Sequence, residues 1–497
     1  MKLNYKRTIL VGFAFFLISA FWQAYDAIVP LILTNHYGLP QSASGAIMSL
    51  DNILAVFMLP LFGALSDRVN SKWGRRTPFV LIGTVAAVVA FFALTFIDNM
   101  QISAILGTDA PTLYANAKEA LVAAQTALAD AVRSGNEALI AAAEAAVTSA
   151  EAGLEEARMI ALGITQANGA SLVGFIATLL VVLIAMATFR SPAVALMPDV
   201  TVKPLRSKGN AIINLMGAAG GILVLALGIV FKTAKNPFMS YTVYVLAVCL
   251  IMLAGLAVFI LTVKEKQWAQ EMEEDTVRLG LAEVEVEESG EKRRLSKPEW
   301  ISLLLILASV ALWYIGYNSI TSKYSVYATN ILFFDYNATL IIAQAAAIIS
   351  YIPVGIVSSK LGRKKTILAG IIMLAAAFFF GNFITMTSPE LIMYPIFILA
   401  GVGWATINVN SFPMVVELAR GGDVGKYTGY YYTASMAAQI VAPILSGFLY
   451  DAFGMRPVFF LFGTVFVALS FVTMFFVRHG DAKPEVRVGL EALDTDD

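Results

Sequence analysis

Long apolar stretches alternate with short charged segments along this chain. Twelve of the stretches fall near 9–34, 43–65, 77–97, 171–198, 209–231, 239–263, 299–321, 335–358, 366–386, 391–416, 427–449 and 457–477. Each approaches or exceeds the roughly 20 residues that carry a helix across the hydrocarbon core of a bilayer. Strands of a membrane barrel would instead alternate apolar and polar residues over about 10 positions, and these stretches do not. The pattern predicts an all-α integral membrane protein with twelve transmembrane helices. Stretches 1, 4 and 10 are longer than a span needs, so those helices tilt or protrude.

Residues 108–160 break the pattern. They are rich in Ala and Glu and too polar to span. Leu121, Ala124, Leu128 and Ala131 recur at helical spacing, as do Leu139, Ala142, Ala146 and Ala150, on either side of the turn signal "RSGNE" (Arg133 to Glu137). The expectation is an extracytoplasmic helical hairpin insert, with arms of ~35 Å at about 1.5 Å per residue, between the third and fourth spans. A solvated stalk is the simpler role for it; partner docking or gating is the alternative. The domain reading is a six-helix half (1–263) carrying this insert, a mixed-charge linker (264–297), a second six-helix half (298–480) and a tail (481–497).

Charge sets the orientation. With twelve spans both termini share one side, and that side receives 27 of the 34 Lys and Arg residues. The positive-inside bias therefore places both termini in the cytoplasm, and the plasma (inner) membrane is the expected location. Composition agrees with a membrane protein: 58% hydrophobic, 14% charged, mean hydropathy +0.75. The first stretch is too long for a signal-peptide core and reads as an uncleaved span. A single cysteine, Cys249, rules out an intrachain disulfide and a cysteine metal cluster. His36 and His479 fall on opposite sides, so no histidine pair shares a metal, and there is no Walker-type loop. No cofactor, metal, nucleic-acid partner or enzymatic chemistry is expected, and the working unit is read as a monomer.

The chain repeats itself. Gly63 matches Gly355 and Asp26 matches Asn318 at an offset of 292, with "WQAYDA" (Trp22 to Ala27) resembling "WYIGYNS" (Trp313 to Ser319). Gly74 matches Gly362 at 288, so the first interhelix hinge is four residues longer than the second. Two six-span halves joined by a linker make a parallel repeat about the membrane normal.

The hinge "GALSDRVNSKWGRR" (Gly63 to Arg76), with its weaker copy "GIVSSKLGRK" at 355–364, resembles the signature of the major facilitator superfamily. The resemblance covers the chain apart from the 108–160 insert. It implies the major facilitator fold and a conformational lock built from Gly63, Asp67, Arg68, Gly74, Arg75, Arg76, Asp199, Arg206, Gly355, Gly362, Arg363 and Glu417. In that lock Gly63 admits close helix approach. Asp67 acts at a helix N-terminus. The arginines fork onto Asp199 and Glu417 at other helix ends. Asp199 and Arg206 also show the D/E-x6-R spacing that resembles sugar porters of the superfamily. The competing reading is that these charges only signal topology.

The long hinge form, and "SPAVALMPDVTVKPLRSKGNAIINLMGAAGG" (Ser191 to Gly221), resemble sucrose-transporter-like and glycoside–pentoside–hexuronide cation symporters. This implies a sugar or glycoside, disaccharide-like, as substrate. The register places Ala55, Leu59 and Arg190 where the glycoside symporters hold cation-binding acids, so protons rather than sodium are the implied coupling ion.

Ionisable residues within spans cost about 2.5–3.5 kcal/mol on insertion scales and are functional candidates by default. Asp26 and Asp51 lie at matching depth on neighbouring spans, and two nearby carboxylates disfavour double ionisation, which makes a proton site. Both could alternatively just bond neighbouring helices. Arg190 could meet a substrate or snorkel to the interface. In this superfamily the first helix of each three-helix set lines the cavity, which implies a substrate site among Trp22, Tyr25, Asp26, Asn52, Arg190, Trp313, Tyr317, Asn318, Trp404, Asn408 and Asn410. For each aromatic alone, helix packing is an equal explanation. The resulting expectation is a secondary active transporter, a proton-coupled sugar symporter working by alternating access. The alternatives are a facilitator or exporter of another small solute, and a non-transporting membrane sugar sensor.

Overall fold

The computed structural model describes residues 3–278, 295–418 and 424–480. The tail at 481–497, Arg420 and most of the linker lie outside the described residues. Among those described, twelve helical segments are long and apolar enough to cross a membrane, and the chain is a multi-pass membrane protein.

The first half opens with α1 (Tyr5–Leu31), which continues through a π-helical turn at Ile32–His36. The second span is made of α2 (Gln41–Met48) and α3 (Leu50–Arg68). It is offset at Ser49, whose hydroxyl donates back to the Gly45 and Ala46 carbonyls and tightens that turn. Then come α4 (Thr77–Leu106), α5 (Ala110–Ser134), α6 (Glu137–Ala167), α7 (Gly169–Asp199), α8 (Arg206–Phe231) and α9 (Thr242–Thr262). A linker helix, α10 (Glu265–Arg278), follows. The second half comprises α11 (Lys297–Thr321), the single turn α12 (Tyr324–Tyr327) with a π-helical turn at Ala328–Leu332, α13 (Tyr336–Leu361), α14 (Arg363–Gly381), α15 (Met393–Val416), α16 (Val424–Phe453) and α17 (Met455–Phe475).

Both halves thus begin with a long helix that ends in a π-turn. The two turns meet: Asn330 Nδ2 donates to Asn35 Oδ1 at 2.7 Å. Small residues let helices approach within each half, as membrane packing demands where lipid offers no hydrophobic drive. A Cβ on Gly220 would meet the Phe16 carbonyl at 2.6 Å, and one on Gly403 would meet the Leu374 nitrogen at 2.8 Å. Pro60, Pro192, Pro198, Pro353, Pro413 and Pro443 sit inside spans. Neighbouring helices and side chains make that tolerable.

The polar segment forms α5 and α6, which lie side by side through buried Ala117, Leu121, Ala124, Ala143, Ala150 and Ala157. Gly135 turns between them at φ +67°, and Asn136 Oδ1 caps α6. The pair touches both halves. Arg158 donates to the Gly38 carbonyl at 2.8 Å, and Lys118 Nζ stands 4.5 Å over the Phe333 ring. The bundle therefore has an α5–α6 end and, opposite it, a terminal end carrying the first helix start and the two hinges.

Candidate functional site

A cavity of about 620 Å³ lies between the halves, lined mainly by α1, α8, α11, α13 and α15, with single residues from α7, α12, α14 and α17. Asp26 and Asn318, equivalent in the repeat, both line it. Trp22 lines it too, but Trp313 is fully buried outside it. The repeat explains this. An offset of 292 pairs Trp22 with Tyr314, and a one-residue slip turns a side chain by about 100° around a helix. Tyr314 accordingly packs edge-on against Trp404 at 5.3 Å, and Trp404 stacks flat on Tyr317 at 3.7 Å. Tyr317 and Trp404 present that stack to the cavity, across from Trp22.

Asp26 is exposed to the cavity, and neither it nor Arg190 makes a hydrogen bond or ion pair to a described residue. The Arg190 guanidinium stands 5.6 Å over the Trp22 ring. Asp26, Asp51 and Arg190 are close enough for their charges to act on one another. Asp51 does not line the cavity. It sits in the first turn of α3, where the helix dipole favours an anion, and Asn52 donates to it from its backbone at 2.6 Å and its side chain at 2.8 Å. Tyr25 lies buried behind Trp22. Asn408 and Asn410 are buried outside the cavity; Asn410 Nδ2 donates to the Thr406 carbonyl and its oxygen accepts from Ser358. The structure thus gathers Trp22, Asp26, Arg190, Tyr317, Asn318 and Trp404, and adds Gln23 and Gln344. Gln344 donates to Gln23 at 2.5 Å across the halves.

At the α5–α6 end the halves seal against each other. The Asp451 carboxylate, from α16, accepts the backbone N–H groups of Gln41 at 2.7 Å and Ser42 at 2.8 Å. Helix α2 begins after Pro40, which has no side chain able to cap it, so its cap comes from the other half. Lys323, fully buried, donates to Ser44 Oγ at 2.6 Å. A Cβ on Gly45 would collide with the Pro443 carbonyl, and one on Gly447 would reach the Gln41 carbonyl at 2.5 Å.

The first hinge is a charge cluster within its own half. Arg76 reaches Asp67 at 2.5 Å and Asp199 at 2.8 Å, Arg75 reaches Asp199 at 2.8 Å, and Arg76 also donates to Ser66. Gly63 brings α3 against Ser191 of α7, and Gly74 turns at φ +115°, a conformation that Gly362 echoes at +92°. Three expectations change, on Asp67, Glu417 and Arg68. Asp67 stands in the last turn of α3, not at a helix N-terminus, because α3 runs to Arg68. Glu417 pairs with Arg363 of its own half, which lies beside it, and not with the first hinge. Arg206 donates to the Thr201 and Pro198 carbonyls at the end of α7. Arg68 and Gly355 make none of the contacts above.

The cap of α4 comes from an unforeseen residue. Glu265, 2% exposed at the start of α10, accepts the backbone N–H of Arg75, Arg76 and Thr77 and the Thr77 hydroxyl, all at 2.7–2.8 Å. Arg7 adds an ion pair to Glu271 and covers Trp268 at 5.3 Å. Glu265, Asp451, Ser44 and the Gln23–Gln344 pair escaped sequence reasoning. All but Asp451 and Glu265 are uncharged, and those two act through backbone groups that no side-chain pattern reveals.

Twelve membrane-crossing helices in two related halves around a shared cavity define a class: a membrane transporter fold. Comparison with known proteins gives the family. The model for the Major Facilitator Superfamily matches residues 157–420 and 333–493, and that for MFS/sugar transport protein matches 10–110. The chain belongs to the Major Facilitator Superfamily. It is similar to an uncharacterized symporter of Synechocystis sp., 34% identical over 69 residues, which are 14% of this chain and 13% of that one. It is also similar to the human proton-associated sugar transporter A, 34% identical over 67 residues, which are 14% of this chain and 9% of that one. The chain thus matches only about a tenth of these curated relatives' length. Among solved structures, the xylose transporter XylE from E. coli in an inward-open conformation superposes with a TM-score of 0.59 at 13% identity, covering 99% of both chains. That likeness establishes the shared fold.

Proposed function

We propose that this protein is a proton-coupled symporter of a sugar or glycoside, resident in the plasma membrane with both termini cytoplasmic, and that it works by alternating access. The observation that carries this reading is the pairing, in one cavity, of opposite charges that form no ion pair with flat aromatic faces. Asp26 and Arg190 make no hydrogen bond or ion pair to a described residue there, Arg190 lying over the Trp22 ring, while the Tyr317–Trp404 stack offers aromatic surface for a pyranose. Gln23, Asn318 and Gln344 supply amides for hydroxyl groups. Charge counting supports protons as the coupling ion. Two aspartates and one arginine leave the group at −1, and one proton on either carboxylate makes it neutral, ready for an uncharged substrate. The names of the similar symporter and of the proton-associated sugar transporter point the same way.

The sealed α5–α6 end and a solvent-facing Asp26 correspond to an inward-open state. The Arg75–Arg76–Asp67–Asp199 cluster is the lock, holding the hinge of one half rigid while the halves rock. Binding tests the site: the purified protein is titrated with sucrose, maltose and simple glycosides by calorimetry. Trp404→Ala and Asn318→Ala are expected to weaken the best ligand at least tenfold, with thermal stability retained. Undiminished binding in both variants would remove the ligand from this cavity.

A further inference from the structure

A second cavity, of about 350 Å³, opens at the terminal end between the first hinge and the α9–α10 junction. One wall is Lys72, Trp73 and Thr77; the other is Ile260, Val263, Lys264 and Lys266. Its depth is fixed by two spans, since α9 ends at Thr262 and α4 starts at Thr77. The cavity therefore sits where acyl chains give way to headgroups. Its apolar floor is Ile260 with Val263, and Trp73, 49% exposed, has the amphipathic ring favoured at that level.

Its lining carries three lysines and no acid: Lys72 lies 5.0 Å over the Trp73 ring, and Glu271, farther along α10, feels Lys264 but pairs with Arg7. Lys72, Lys264 and Lys266 are exposed and make no ion pair to any described residue. The one carboxylate between them, Glu265, is buried and spends both oxygens on Arg75, Arg76 and Thr77. The hinge acids are also committed, Asp67 to Arg76 and Asp199 to Arg75 and Arg76. Those same Glu265 bonds fasten the two walls together, so the cleft is held in shape before anything enters it. Basic pockets of this kind, at the membrane boundary between spans, suit anionic headgroups.

We propose that this cleft binds the phosphate of an anionic phospholipid, with its glycerol backbone on Ile260 and Val263 and the three lysines around the phosphate. The proposal stands on the fold alone and does not depend on the transported substrate. Because the walls belong to the hinge and to α10, a bound lipid would brace the Glu265 cap and the charge cluster behind it.

Native mass spectrometry of the full chain in detergent tests this, with phosphatidylglycerol and phosphatidylcholine of identical acyl chains. Phosphatidylglycerol is expected to bind one site more tightly, by about 100-fold, three lysines at roughly fivefold each. Each Lys→Gln change at positions 72, 264 and 266 is expected to cost roughly fivefold, the weight of one basic residue near an anionic surface. The triple Gln variant should fall to the phosphatidylcholine level, while the triple Arg variant keeps the preference and shows that the fold survives. A Lys232→Gln, Lys235→Gln control at the opposite end should change nothing. Equal binding of the two lipids, or an unchanged preference in the triple Gln variant, overturns the proposal. So does inorganic phosphate or glycerol phosphate that displaces the lipid at low millimolar concentration, which would make this a site for free anions.

Discussion

Removing the Asp451 carboxylate should unseal the α5–α6 end. Asp451 accepts two backbone N–H groups at the start of α2, from the opposite half of the molecule. Loss of a helix cap costs about 1 kcal/mol, and loss of a negative charge beside the helix dipole about 0.3–1 kcal/mol. The carboxylate is exposed, which keeps both values at the modest end. Only the closed arrangement contains this contact, so the loss falls on the closed state alone. The closed-to-open ratio of Asp451→Ala should drop by about 5- to 30-fold for about 1–2 kcal/mol. Asp451→Asn keeps one acceptor without the charge and should fall between the two. Electron–electron resonance between spin labels at Asn236 and Thr387 reads the equilibrium. Both positions are exposed at that end, one in each half, in a Cys249→Ala background. A longer-distance population should grow in the order wild type, Asn, Ala. Identical distance distributions in all three would refute the claim that this contact holds the closed state.

Other consequences are as direct. Gly45→Ala puts a methyl group into the Pro443 carbonyl, so the same labels should show a larger open population than Asp451→Ala; an unchanged distribution would mean that the halves do not meet there. Glu265→Ala strips buried donors at the start of α4, worth about 2–4 kcal/mol. Amide exchange at Arg75, Arg76 and Thr77 should therefore accelerate roughly 30- to 1000-fold, and unchanged protection would contradict the capping role. At Glu271 the hydrogen bond from Arg7 holds the carboxyl below its ordinary value. The Arg7 contact is then intact above that ordinary value and lost as pH falls through the lowered one. Protease cleavage within α10 should rise only as pH falls below the ordinary glutamate value, ~4.3, and a rise at neutral pH would argue against the pairing.

The hydrophobic pattern disclosed the spans well because each had to satisfy its own backbone in lipid, which leaves a long apolar signature. Helix ends were less legible. The α2–α3 offset depends on the Ser49 hydroxyl bonding back to Gly45 and Ala46, and α4 runs to Leu106 because α5 continues nearly from its end. Asp26, Arg190, Tyr317, Asn318 and Trp404 stood out because charge and bulk are rare at such depth. Trp313 misled because a matching residue type masked a one-position slip, and a helix turns every slip into a new direction. Asp451 and Glu265 stayed hidden because their partners are backbone amides distant in sequence.

The most direct measurement is sugar uptake into proteoliposomes with and without an inward proton gradient, for wild type and Asp26→Asn. Sucrose, maltose and simple glycosides are the substrates to offer. Accumulation driven by the gradient in wild type, and lost in Asp26→Asn while ligand binding persists, is the predicted result. Accumulation indifferent to the gradient, or undiminished in the variant, would contradict proton coupling through the cavity aspartate.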